Sequence, residues 1–137
     1  MFSSKLIILL KSLDPKEVTA FLRFCKTDLF YVRDHVNELL AILHPLHPDF
    51  TEQNAAAEKI HMQLFGTKKM DKQKLRFVFS NATLLLEKFI SFQSFQKNEF
   101  VQTQLLLNEL IIKKQNKFFT QHIKEFSKKY LENKIHN

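Results

Sequence analysis

The sequence predicts an all-α fold: a bundle of six or seven helices, with one long central helix over about residues 72–96 and a C-terminal αα-hairpin. Three observations predict it. Gly66 is the only glycine and there are three prolines, against plentiful Leu, Lys, Glu and Gln, a composition that favours helices joined by short connections. Apolar residues recur at i, i+3, i+4 and i+7 in successive segments. Capping residues stand in front of several of these segments.

The first helix starts after Ser3 or Ser4 and presents Leu6, Ile7, Leu10 and Leu13. Asp14-Pro15-Lys16-Glu17 then supplies an N-cap acceptor, a proline at the first helical position and a reciprocal glutamate three residues after the cap. Val18, Phe21, Leu22 and Cys25 form the apolar face of that second helix. Thr27–Tyr31 reads as a connection. The third helix carries Val36, Leu39, Leu40 and Leu43 and is expected to end at His44, because Pro45 disfavours helical geometry in the residue before it. A fourth helix is expected to begin between Asp49 and Asn54, with Asp49, Thr51 or Asn54 as its cap. It runs through Ala57, Ile60, His61, Leu64 and Phe65 to Gly66, which suits a left-handed C-terminal residue.

Asp71 is the expected cap of the long fifth helix. Its seam is Leu75, Val78, Ala82, Leu85, Phe89 and Phe92, widened by Phe79, Leu86 and Ile90, as for a helix touched on more than one side. Asn98 can cap a sixth helix bearing Val101, Leu105, Leu106 and Leu110. After a break near Gln115-Asn116, a seventh presents Phe119, Ile123, Phe126 and Tyr130.

A chain of 137 residues is expected to form a single helical domain, 1–137, that buries roughly two-thirds of its unfolded surface. Residues 1–66 make a short-helix half with seven Lys/Arg against eight Asp/Glu, net −1. Residues 67–137 make a basic half with fourteen against six, net +8, which together give the net +7. Cys25 is the only cysteine, so no internal disulfide or thiolate cluster forms, and its place on an apolar stripe makes it a small buried hydrophobe. The N-terminal apolar run Leu6–Leu10 is too short for a signal peptide or a membrane span. A cytoplasmic location without membrane association is therefore expected.

Phosphate-cradling loops, nucleophile elbows and dinucleotide fingerprints need glycines that this chain lacks. The stretch LHPLHPDF (residues 43–50) concentrates chemistry-bearing residues. Pro45 separates His44 from His47, however, and a zinc site would need further ligands, with Asp49 and His61 the nearest in sequence. Punctuation between helices is the preferred reading, with His44 capping carbonyls at a helix C-terminus. The carboxylates are mostly single residues at caps or on polar faces. No catalytic residue, metal ligand or cofactor is assigned, and a non-enzymatic role is expected.

Two binding readings remain. Lys68, Lys69, Lys72, Lys74 and Arg76 surround the start of the fifth helix, and Lys113, Lys114, Lys117, Lys124, Lys128, Lys129 and Lys134 follow toward the C-terminus. Clustered cations are what phosphate contacts need, so these are candidate nucleic-acid contacts, although only three arginines are present for bidentate readout. The alternative is a solvated outer face. Phe24, Phe77, Phe95, Phe100 and Phe118 lie beside or off the main stripes. If exposed together, they would mark a surface for another protein or for self-association.

The segments LLKSLDPKEVTAFLRF, HPLHPDF, LFG and KLRFVFSNATLLLEKFI resemble, over roughly residues 5–95, an uncharacterised bacterial all-helical N-terminal domain that precedes tetratricopeptide-like helical arrays. TDLFYVRDH departs from that group's usual turn. The resemblance implies no activity; a helical-repeat setting implies protein–protein interaction. A fainter likeness, through Leu10, Leu13 and Glu17, is to death-fold adaptor domains, which the long fifth helix and terminal hairpin fit poorly. The leading expectation is a protein–protein interaction or scaffold module, and the alternative is a basic nucleic-acid-binding bundle.

Overall fold

The computed structural model describes residues 4–27 and 32–136, with side chains to position 131. The alternative cap Ser3, the connection at 28–31 and the side chain of Lys134 lie outside the described residues. The described chain is all-helical, with seven α-helices and one 3-10 turn. Among the described residues, no helix is long and apolar enough to cross a membrane.

The first two helices follow their local signals closely. Ser4 Oγ accepts from the Ile7 N–H at the start of α1 (Lys5–Lys11). Asp14 and Glu17 form the reciprocal box of α2 (Pro15–Cys25): Glu17 N–H donates to Asp14 Oδ1 at 2.8 Å, and Asp14 N–H donates to Glu17 Oε1 at 3.1 Å. Leu22, expected on the buried face of α2, is only half-buried, whereas the off-stripe Phe24 is buried. The long helix explains the rotation, because Phe89 meets both Phe21 (5.3 Å between ring centres) and Phe24 (5.4 Å).

Around Pro45 the expectation needs correcting. α3 (Val36–Leu43) does lose its α-helical bonding there, but His44 keeps helical angles (φ −54°, ψ −50°) and opens a 3-10 turn, His44–Leu46. The residue driven to extended geometry is His47 (φ −69°, ψ 138°), which precedes Pro48 through a cis peptide bond. Thr51 and Asn54 do not cap the next helix either. They close a turn of their own, with Thr51 N–H donating to Asn54 Oδ1, Asn54 N–H to Thr51 Oγ1 and Ala55 N–H to Thr51 O. α4 (Ala57–Phe65) begins after it behind Ala56, without a side-chain cap, and ends at Gly66 in the left-handed region (φ 67°).

Asp71 Oδ1 accepts from the Lys74 N–H at the start of α5 (Lys72–Lys97), as its position before the apolar seam predicts. Leu75, Val78, Phe79, Ala82, Leu85, Leu86 and Phe89 are buried against α1–α4 side chains in one core, at roughly 1.5–3 kcal/mol for each large side chain. Thr83 is also buried, and its hydroxyl donates to the Phe79 carbonyl within the helix. Phe92, the last residue of the predicted seam, is exposed.

The chain divides into two compact units, Met1–Ile90 and Ser91–Asn137, and α5 runs across the division. Charge instead changes character at 66/67, because the lysines begin in the loop before α5 whereas packing follows the buried seam to its end. The second unit holds the predicted hairpin: α6 (Glu99–Ile112), capped by Asn98 Oδ1 on the Val101 N–H, and α7 (Asn116–His136). Lys114 takes a left-handed conformation (φ 58°) between them. Its N–H reaches Ile111 O and the Gln115 N–H reaches Leu110 O, a Schellman closure made without glycine.

Candidate interaction surface

Three of the titratable residues, His47, His61 and Cys25, have structural surroundings. His47 Nε2 lies 2.9 Å from both Leu10 O and Leu13 O. Both partners are carbonyls that only accept, so Nε2 carries the proton and donates to them. The carbonyl-capping histidine is therefore His47, not His44, and it serves the end of α1 rather than its own helix; His44 is exposed. His61 is buried, and its Nε2 accepts the Asp71 N–H at 3.0 Å. Among the described residues, no group of three His, Cys, Asp or Glu side chains is placed to hold a metal ion. Cys25 is buried, and desolvation pushes its thiol from 9.0 up to about 12, far from a reactive thiolate.

The cations of the first group are all exposed, but only part of the group converges. Lys69, Lys72 and Lys74 line a cavity of about 610 Å³ beside His61 and Phe65, and Lys74 Nζ sits 4.3 Å from the centre of the Phe65 ring. Arg76 borders a different cavity with Lys5 and Glu87, and Lys68 lines neither of these two. In the second unit, Lys113 pairs with Glu109 and Lys129 with Glu99, whose hydrogen bond raises the lysine's pKa. Lys114, Lys117, Lys124 and Lys128 are exposed. At about 100° per residue, Lys117, Lys124 and Lys128 fall within roughly 40° of each other on α7. Phe119, His122, Phe126 and Tyr130 occupy the opposite, half-buried side, packed toward α6. The two cation groups belong to different compact units.

The off-stripe phenylalanines separate clearly. Phe24 joins the core, while Phe77, Phe95, Phe100 and Phe118 are exposed, Phe100 still meeting Phe126 at a tilt and Tyr130 edge-on. Phe77 is 60% exposed and Leu84, two turns further along α5, is 59% exposed. Their spacing of seven puts both on one face, opposite the more continuous buried seam of the same helix.

The hairpin shows a second uncovered face. The half-buried residues of α6 are Val101, Gln102, Thr103, Leu107 and Leu110, so that of the expected Val101, Leu105, Leu106 and Leu110 the middle two are exposed. In the same way His122 replaces Ile123 on the inner side of α7. α6 is apolar nearly all round, so periodicity could not single out the side that packs. Leu105 and Ile112 stand opposite the packed side at 49% and 69% exposure, and no described side chain between 91 and 131 is buried. No family model, curated protein or solved structure matches the chain.

Proposed function

We propose that the chain is a non-enzymatic protein–protein interaction or scaffold module, with the outer face of α6 as a docking face for a further helical element. The observation that carries this reading is that α6 is apolar on opposite sides yet buries no side chain. A helix apolar all round is ordinarily covered on all sides. Helical-repeat units share this property, because one hairpin alone cannot bury both of its apolar faces and neighbouring helices cover them. The likeness of residues 5–95 to a bacterial domain preceding tetratricopeptide-like arrays points the same way. The structural use of His47, His61 and Cys25 supports the non-enzymatic part.

The test is affinity capture from native lysate by the wild type and by the Leu105→Ser/Ile112→Ser variant, each with and without nuclease, alongside sedimentation of the purified chain. The reading expects protein capture or self-association that survives nuclease and is lost in the variant. Equal capture by the variant would refute the assignment to α6.

A second reading rests on the Lys117, Lys124 and Lys128 stripe, which is continuous on α7 and faces away from α6. A nucleic-acid-binding bundle would show duplex affinity falling steeply with salt, with a shallower slope after Lys117→Gln/Lys124→Gln/Lys128→Gln. Salt-insensitive or absent binding removes it.

A further inference from the structure

We infer that the exposed ridge of α5 in the first unit is a docking site for an amphipathic helix whose apolar stripe is bordered by carboxylates. The inference deepens the interaction-module reading but uses a different surface. Phe77, Asn81, Leu84 and Lys88 follow one another at spacings of four, three and four and so share one face of α5. Phe77 and Leu84 rise on that face as its two large apolar side chains, both more than half exposed. The fold leaves a furrow on each side of them. Along one side, Arg33 lines a cavity of about 710 Å³ with Phe77 and Asn81, and a smaller one with Asn81, Leu84 and Lys88. Along the other side, Arg76 and Leu84 line a cavity of about 470 Å³.

A ridge between two furrows is the shape that a second helix fits, because its side chains drop into the furrows as the ridge fills its groove. Charge selects the kind of helix. The Arg33 side carries Lys74 and Lys88 as well, against Asp34 and Asp71, and the Asp71 carboxylate is already engaged as the α5 cap. The Arg76 side carries Lys5, which pairs with Glu87 at 3.1 Å. Each border has an arginine, Arg33 or Arg76, that makes no ion pair within the described residues and is able to hold a carboxylate bidentately. Exposed aromatic and aliphatic anchors flanked by arginine are the composition of interface hot spots. A basic helix, including another copy of this chain's own lysine-rich α7, meets like charge on both borders.

The test uses the whole chain and two labelled peptides of about 18 residues that share a heptad-spaced leucine stripe, one bordered by Glu and its twin by Lys, read by fluorescence anisotropy. The Glu-bordered peptide should bind at least about tenfold more tightly than its twin. Phe77→Ser/Leu84→Ser should weaken it about tenfold or more, and Arg33→Glu/Arg76→Glu should reverse the preference. A benzophenone version of the Glu-bordered peptide, bound to the unaltered protein, should crosslink to residues 76–88 of α5, which keeps the test independent of whether the variants fold. Equal binding of both peptides, no binding of either, or crosslinks confined to α6 and α7 would overturn the inference. The last of these results would leave the α6 docking face standing.

Discussion

Replacing His47 by alanine removes one N–H that two carbonyls share at the end of α1. Leu10 O also accepts the Ser12 and Leu13 N–H groups, so Leu13 O depends more on the imidazole. Loss of one hydrogen bond costs about 1 kcal/mol, and leaving a partly buried carbonyl without its donor adds about 1–2 kcal/mol. The imidazole also packs edge-on to Phe50, which is buried, so the net expectation is a destabilisation of about 2–3 kcal/mol. His44→Ala, three residues away and exposed, should change stability by less than about 0.5 kcal/mol. His47→Gln keeps a donor near the Nε2 position and should recover part of the loss, whereas His47→Asn, whose amide falls short, should not. Urea unfolding followed by far-ultraviolet circular dichroism reads all four variants through their midpoints at constant slope. Equal effects of the two alanine variants, or a neutral His47→Ala, would refute the capping role.

Other outcomes can be checked by similar means. Gly66→Ala meets no atom within 4 Å at its Cβ, so it should cost only the left-handed backbone penalty of about 1–2 kcal/mol, read by urea unfolding. Lys114→Gly removes the same kind of penalty between α6 and α7 and should raise the hairpin's amide protection against hydrogen exchange; unchanged or lower protection would refute this. Cys25 should resist a thiol reagent until the protein unfolds. Its thiol is held at about 12 when folded against 9.0 ordinarily, so the folded state keeps a proton that the unfolded state releases. Stability from this group is fully present below about pH 9 and declines as pH rises toward 12, and Cys25→Ala should flatten that part of the profile. Leu105→Ser/Ile112→Ser should leave the urea midpoint of the free chain nearly unchanged, because both side chains are already exposed; a large loss would show that they are covered within the chain itself.

The sequence by itself determined the helices and most of their ends. Asp14 with Glu17, Asp71, Asn98 and Gly66 act on backbone groups within a few residues of themselves, so local chemistry suffices to place them. The seam of α5 likewise marked the side that enters the core, since Leu75, Val78, Ala82, Leu85 and Phe89 recur along one face at helical spacing. Tertiary structure decided what depended on distant partners. His47 caps α1 because the turn after α3 brings it to carbonyls more than thirty residues away in sequence, and nothing in LHPLHPDF alone separates His47 from His44. Thr51 and Asn54 form a valid reciprocal pair, but it closes a turn, and α4 starts beyond it. Phe24 is buried and Phe77 exposed for the same reason: Phe89 reaches Phe24, and no described element covers the outer face of α5. On α6, whose apolar residues are spread around most of its circumference, periodicity carries little direction, so only the arrival of α7 settled which leucines pack and which remain available to a partner.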